Sequence, residues 1–172
     1  MAALSLKSKF QQQPKDPNQI DAFATKVTIH AYRADGALSS ILKTPMVKHF
    51  DQNNRSTFSQ PHVVSYPSSG LPWTLSADRG ISKNGNDWIK LISHVHIFQR
   101  IPKSYDQNLQ PTDIYTNTLI IENKKNLAHT DDPVEIKRPD SNTHSIGMQA
   151  NLKTGDIYFL HHVRGVYDPN QS

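Results

Sequence analysis

His144-Ser145-Ile146-Gly147-Met148-Gln149-Ala150-Asn151-Leu152-Lys153-Thr154-Gly155-Asp156-Ile157-Tyr158-Phe159-Leu160-His161-His162-Val163-Arg164-Gly165-Val166 reads as two runs of alternating character around a short glycine-bearing connection. Ile146, Met148, Ala150 and Leu152 fall on one side of the first run, and Ile157, Phe159 and His161 alternate with Tyr158, Leu160 and His162 in the second. A period of two sends successive side chains to opposite faces of a strand, and Lys153-Thr154-Gly155 suits a β-hairpin with a bulge. An antiparallel sheet is the expected scaffold.

Further strands are expected upstream. Residues 113–122 follow Pro111, and residues 87–100 carry Ile89, Leu91, Val95 and Ile97 before Pro102, with a helix over 88–95 as the rival. Val134 and Ile136 lie in a short segment bracketed by Asp131-Asp132-Pro133 and Arg138-Pro139-Asp140. Between 51 and 70 the Asn, Ser, Pro and Gly content predicts loops around one short strand at 62–66. Near the N-terminus, residues 22–33 put Phe23, Val27 and Ile29 on one side of a strand, and Asp35-Gly36 turns the chain. Residues 37–42 then suit a short helix ended by Pro45, with a second turn over 46–50. Together these elements predict an α+β domain over 20–172, an antiparallel β-sheet packed against one or two short helices.

Charge is distributed unevenly. Residues 1–60 hold eight Lys and Arg against four Asp, whereas 61–172 hold eleven of each sign, so the whole net charge of +4 lies in the first third. Residues 1–19 are rich in Gln, Lys, Ser and Pro, with too little apolar surface to offset an ordering cost of about 1–2 kcal/mol per residue. They are expected to form a disordered basic arm. Its Lys7, Lys9 and Lys15 suit contact with anions, and Leu4, Leu6 and Phe10 suit docking on a neighbouring subunit. With 35% hydrophobic residues and a mean hydropathy of −0.62, the chain is polar for a globular protein, which fits arms, loops or a covering partner.

Much chemistry is missing. No Cys is present, which removes disulfides, zinc-thiolate sites and thiol catalysis. Neither a membrane-spanning apolar run nor a signal-peptide core is apparent, so the reading is a soluble chain. Of the nine His, His94 and His96 share a strand face and His161-His162 lie on another, but no carboxylate stands at regular ligand spacing, so no metal site is expected. The nucleophile elbow, the P-loop and the dinucleotide fingerprint are all absent. Asp78-Arg79-Gly80 and Asp87-Trp88 read as turn residues with a core Trp. A binding protein without catalytic residues or cofactors is the expectation.

Residues 23–51 resemble the start of the folded core of rhabdovirus matrix proteins, most like the small ones of plant-infecting cytorhabdoviruses. The similar features are Phe23-Ala24-Thr25-Lys26-Val27-Thr28-Ile29, Arg33, Ala37-Leu38-Ser39-Ser40-Ile41-Leu42 and His49-Phe50-Asp51, behind a basic arm. The resemblance implies a viral structural protein that self-assembles as a helical homo-oligomer and condenses the viral nucleocapsid. It further implies contact with a glycoprotein tail and an anionic membrane surface, in the virion beneath the envelope and in host cytoplasm and internal membranes. Under it, Lys7, Lys9 and Lys15 would meet membrane or nucleocapsid, and Leu4, Leu6 and Phe10 would dock subunits. An RNA-binding viral accessory protein, a movement protein or silencing suppressor, is the alternative.

Overall fold

Alternation of side chains holds along each long strand up to an interruption near its middle. The computed structural model describes residues 19–51, 54–102 and 110–168, and within them eleven strands form a single antiparallel sheet. They are β1 (Ala22–Tyr32), β2 (Leu38–Phe50), β3 (Arg55–Ser59), β4 (His62–Ser65), β5 (Trp73–Ser76), β6 (Arg79–Lys83), β7 (Trp88–Gln99), β8 (Thr112–Glu122), β9 (Leu127–Arg138), β10 (Ser141–Asn151) and β11 (Ile157–Tyr167). Among the described residues the only helical pieces are single 3-10 turns, and the expected α+β class is corrected to all-β.

The predicted helix over 37–42 and the turn over 46–50 are both part of β2, which pairs with β1 from Ala22↔His49 to Tyr32↔Leu38. Pro45 misled the reading, because a Pro in a strand ordinarily marks its end. In β2 it falls where one partner gives way to another: residues 40–43 pair with β4 and residues 46–50 with β3. Its missing N–H is therefore not needed in the ladder. The expected hairpin is present as β10 and β11, with Asn151 Oδ1 accepting hydrogen bonds from the N–H groups of Lys153 and Thr154 in the connection. The expected strands at 22–33, 62–66, 87–100 and 113–122 appear as β1, β4, β7 and β8, while β3 and β6 fall where a loop and a turn were expected.

β3 and β4 run in the same direction as one row broken at Gln60-Pro61, and β5 and β6 form another row broken at Ala77-Asp78. The sheet is thus a meander of long rows, and the breaks lie on one line across it. On that line are Lys26 (φ 52°), Pro45, Gln60 (φ 44°), Ser93 and His94 (φ 65° and 49°), Gly147 (φ 79°) and His162 (φ 51°). Register shifts between Ile92 and Val95, Thr116 and Ile120, and Ile146 and Met148 continue it. Each irregularity bends its strand and reverses or resets which side chains point inward. Aligned, they make a crease.

The crease folds the sheet into two facing leaves. The first leaf holds β3, β6 and the adjoining halves of the long strands, and the second holds β4, β5 and the remaining halves. Register aligns Ile136 with Thr143 and Gly165, eight residues along β11 from Ile157, or roughly 26 Å in a flat sheet. Yet Ile136 and Ile157 line the same recess of about 340 Å³, so the inner faces are apposed. The core lies between them: Leu91, Leu119, Ala128 and Met148 from the first leaf pack with Val95, Ile97, Ile114, Val134 and Ile136 from the second.

Candidate functional site

The interleaf space is lined by apolar rungs that run across the strands, parallel to the crease. On the second leaf, register lines up Leu42, Val63, Leu75, Ile97, Ile114 and Ile136. On the first it lines up Val47, Phe58, Gly80, Leu91 and Leu119, with Met148 and Phe159 further along. Pairing the rows in this register makes each rung continuous, so the apolar interior is one long track, the channel, filled along its middle by its own side chains.

Its floor at the crease is polar but satisfied. The Thr44 hydroxyl lies 2.5 Å from the Ser59 carbonyl and 3.0 Å from that of Met46, and Ser145 Oγ donates to the Gly147 carbonyl. Thr130 Oγ1 accepts from the Asp132 N–H at 3.1 Å. Backbone bonds Gln60 N–H to Asp78 O and Asp78 N–H to Ser93 O tie adjacent rows across the line.

The channel is shut in the middle and looser at its ends. Leu91, Val95, Ile114, Leu119 and Met148 are almost fully buried, whereas toward β1 the inward Leu42, Val47 and Val63 are half-buried and Ile29 is 41% exposed. At the far end Arg138 and Asp156 stand beside Ile136, Ile157 and Phe159 at the recess. An elongated apolar ligand entering this track would have to part the packed leaves, and it would meet no ionised group between Leu42 and Ile136.

Charged groups gather on the outer surfaces. On the second leaf Asp113 receives both terminal nitrogens of Arg100, at 2.7 and 2.8 Å, and His96 Nε2 at 2.7 Å. The Arg100 guanidinium holds the Asp113 carboxyl below its ordinary range, and Asp113 in turn raises Arg100. His96 also stacks on Tyr115, with ring centroids 4.5 Å apart. His94, displaced by the bulge, pairs instead with Asp78. The two histidines thus serve different carboxylates, and among the described residues no group of three or more His, Asp or Glu gathers to hold a metal.

Lys7, Lys9, Lys15, Leu4, Leu6 and Phe10 lie outside the described residues. Sequence reasoning did not single out the channel, whose signal was the paired alternation of Trp73/Leu75, Val95/Ile97 and Ile114/Thr116. Arg79 and Gly80, taken for a turn, belong to β6.

A creased antiparallel sheet with an apolar interior between its leaves and, among the described residues, an edge strand paired on one side only at each end defines an all-β clasp of β-jellyroll type. Its fold is similar to that of LptH, the LptA-homologous periplasmic component of the lipopolysaccharide transport device from Pseudomonas aeruginosa. That match has a TM-score of 0.57 at 9% identity and covers 76% of this chain and 95% of LptH. The lipopolysaccharide export system protein LptC of Escherichia coli K12 is 24% identical over 139 residues, 80% of this chain and 69% of that protein, and LptC of Shigella flexneri matches equally. A family profile, lipopolysaccharide-assembly, LptC-related, matches residues 2–168, and the chain belongs to that family.

Family membership overturns the resemblance to rhabdovirus matrix proteins, and the structure removes its basis, since residues 23–51 are two paired strands and not a strand followed by a helix. Helical self-assembly on a nucleocapsid, contact with a viral glycoprotein tail and anionic membrane, and the RNA-binding accessory alternative all fall with it. So does placement in a virion or in host cytoplasm and internal membranes.

Proposed function

We propose that this chain carries lipopolysaccharide, holding the acyl chains between its leaves, as one component of an export path on the periplasmic side of a bacterial inner membrane. The observation that carries this reading is the apolar rung that runs unbroken from Leu42 on β2 to Ile136 on β9. Acyl chains need a long, uncharged, sheltered track, and burial of each methylene contributes about 0.8 kcal/mol. The function is binding and transfer, without a catalytic step.

Its neighbours join at the edges. Among the described residues β1 pairs only with β2 and β11 only with β10, so each edge would offer backbone donors and acceptors to an added strand. Strand addition would make one channel continuous with the next. In this reading residues 20–172 form the clasp, and residues 1–19 reach from it toward another component, with Lys7, Lys9 and Lys15 meeting anions and Leu4, Leu6 and Phe10 docking.

The test is photo-crosslinking with p-benzoylphenylalanine in place of Leu42, at the channel mouth, or of Tyr115, on the outer face. Lipopolysaccharide should crosslink at position 42 and not at 115. Equal labelling of both, or none at 42, overturns the reading.

A further inference from the structure

The outward face of the first leaf carries positive charge that the channel does not use. Across β2, β3, β6 and β7, register lines up Lys48, Thr57, Ile81 and Lys90 on one rung and Met46, Ser59, Arg79 and Ile92 on the next toward the crease. The rung toward the connecting loops holds Phe50, Arg55, Lys83 and Trp88. These positions include five cations and no carboxylate; Glu122, which continues the last rung on β8 opposite Trp88, is paired with Lys125 and His129. None of the five enters an ion pair among the described residues. Arg55 and Lys83 lie over the rings of Phe50 and Trp88, at 4.3 and 5.1 Å. Lys48 and Arg79 flank a shallow recess of about 210 Å³ that also holds the Thr57 and Ser59 hydroxyls over Met46, Ile81 and Ile92.

The second leaf shows the opposite arrangement. Its outward carboxylates are placed among the cations, with Asp113 on Arg100 and Glu135 on Lys137. Cations left together without counter-charge repel one another, and an anion of matching spacing relieves this. Guanidinium and hydroxyl donors suit phosphate oxygens, and half-exposed aliphatic floor suits the apolar face of a sugar ring.

We infer that this face binds the phosphorylated saccharide headgroup of a lipopolysaccharide whose acyl chains lie in the channel, which rests on the function proposed above. The channel rungs offer no charge to a phosphate, and the saccharide is too bulky and polar to follow the chains between the leaves. Emerging over the open margin of the first leaf, the headgroup meets Arg55 and Lys83, then Lys48, Arg79 and Lys90 behind them. Acyl chains and headgroup are thus held on opposite faces of one leaf.

The experiment titrates the full chain with deacylated lipopolysaccharide, the same oligosaccharide after phosphatase treatment, and phosphatidylglycerol vesicles, in wild type and in Lys48→Glu/Arg79→Glu/Lys90→Glu. Circular dichroism checks that the variant folds. The phosphorylated oligosaccharide should bind wild type in a salt-sensitive manner and at least tenfold more weakly to the variant, and dephosphorylation should abolish binding. Absence of binding to wild type, equal binding to the variant, or vesicles held as tightly as the oligosaccharide with the same loss would each overturn the inference. Crosslinking at position 42 is read in parallel. If it fails while the oligosaccharide results hold, the channel reading falls and the outer anion site stands.

Discussion

Gly147 sits on the crease with φ of 79°, and a methyl group built on its Cα would lie 2.9 Å from Leu160 Cδ1, 3.2 Å from its Cβ and 3.3 Å from its Cγ. Gly147→Ala therefore incurs two costs. Holding an L-residue in the left-handed region costs about 1–2 kcal/mol, and moving Leu160 aside adds about 1 kcal/mol, since Cδ1 can swing away but Cβ is fixed to the backbone of β11. The expected total is about 2–3 kcal/mol, which lowers Tm by roughly 4–12 °C for a chain of this size. Urea unfolding by fluorescence, with the slope unchanged, is the assay. Leu160→Ala removes the Cδ1 and Cγ contacts: in that background Gly147→Ala should cost roughly 0.5 kcal/mol less, because only the backbone term and the 3.2 Å approach of Cβ remain. A loss below about 0.5 kcal/mol in wild type, or the same loss in both backgrounds, would refute the idea that the crease is fixed by backbone conformation and close packing at Gly147.

Leu119→Ala empties the centre of the core at a residue 1% exposed and should cost about 3 kcal/mol by chemical denaturation. Thr44→Val keeps the shape but leaves the Ser59 carbonyl without its donor, for an expected loss of about 1–2 kcal/mol. Asp113→Asn tests the outer ion cluster by pH. Asp113 is depressed in the folded state, chiefly by Arg100, so its contribution is present above the unfolded carboxylate range near pH 4 and is lost as pH falls through the lower folded value. The variant should lose about 1 kcal/mol at pH 7, with a flatter decline than wild type below pH 4; an unchanged acid profile would show that Asp113 contributes nothing.

Strand content was legible where alternation ran unbroken, as in residues 87–92 and 112–116, and the closing hairpin was legible from its connection. The helix over 37–42 was misread because local propensity carries no information about a partner strand, and β2 is held by β1 on one side and by β3 and β4 on the other. The crease hid the rest. Phe23, Val27 and Ile29 share odd numbering, yet Lys26 in the left-handed region resets the alternation, and Phe23 is 71% exposed while Val27 is turned inward. Likewise Met148 is buried but Ile146, across Gly147, is 42% exposed. A reading with one fixed period follows each strand only to the crease. The channel was illegible for a related reason, since its rungs join residues such as Leu42 and Ile136 that no local spacing connects.

The crease also explains why a chain with so little helix can build an apolar interior. An antiparallel sheet buries one face only if something covers it, commonly helices or a second sheet. Here the sheet covers itself, and the covering is set by irregularities that fall in register across successive rows. Because the fold line crosses every row, the apolar rungs beside it run from row to row across the sheet. Helices laid on the same face would have divided them into local contacts. A continuous apolar track with strand edges at either end therefore follows from the one device that closes the core, and under the function proposed above Gly147 and its counterparts on the crease would serve binding as well as stability.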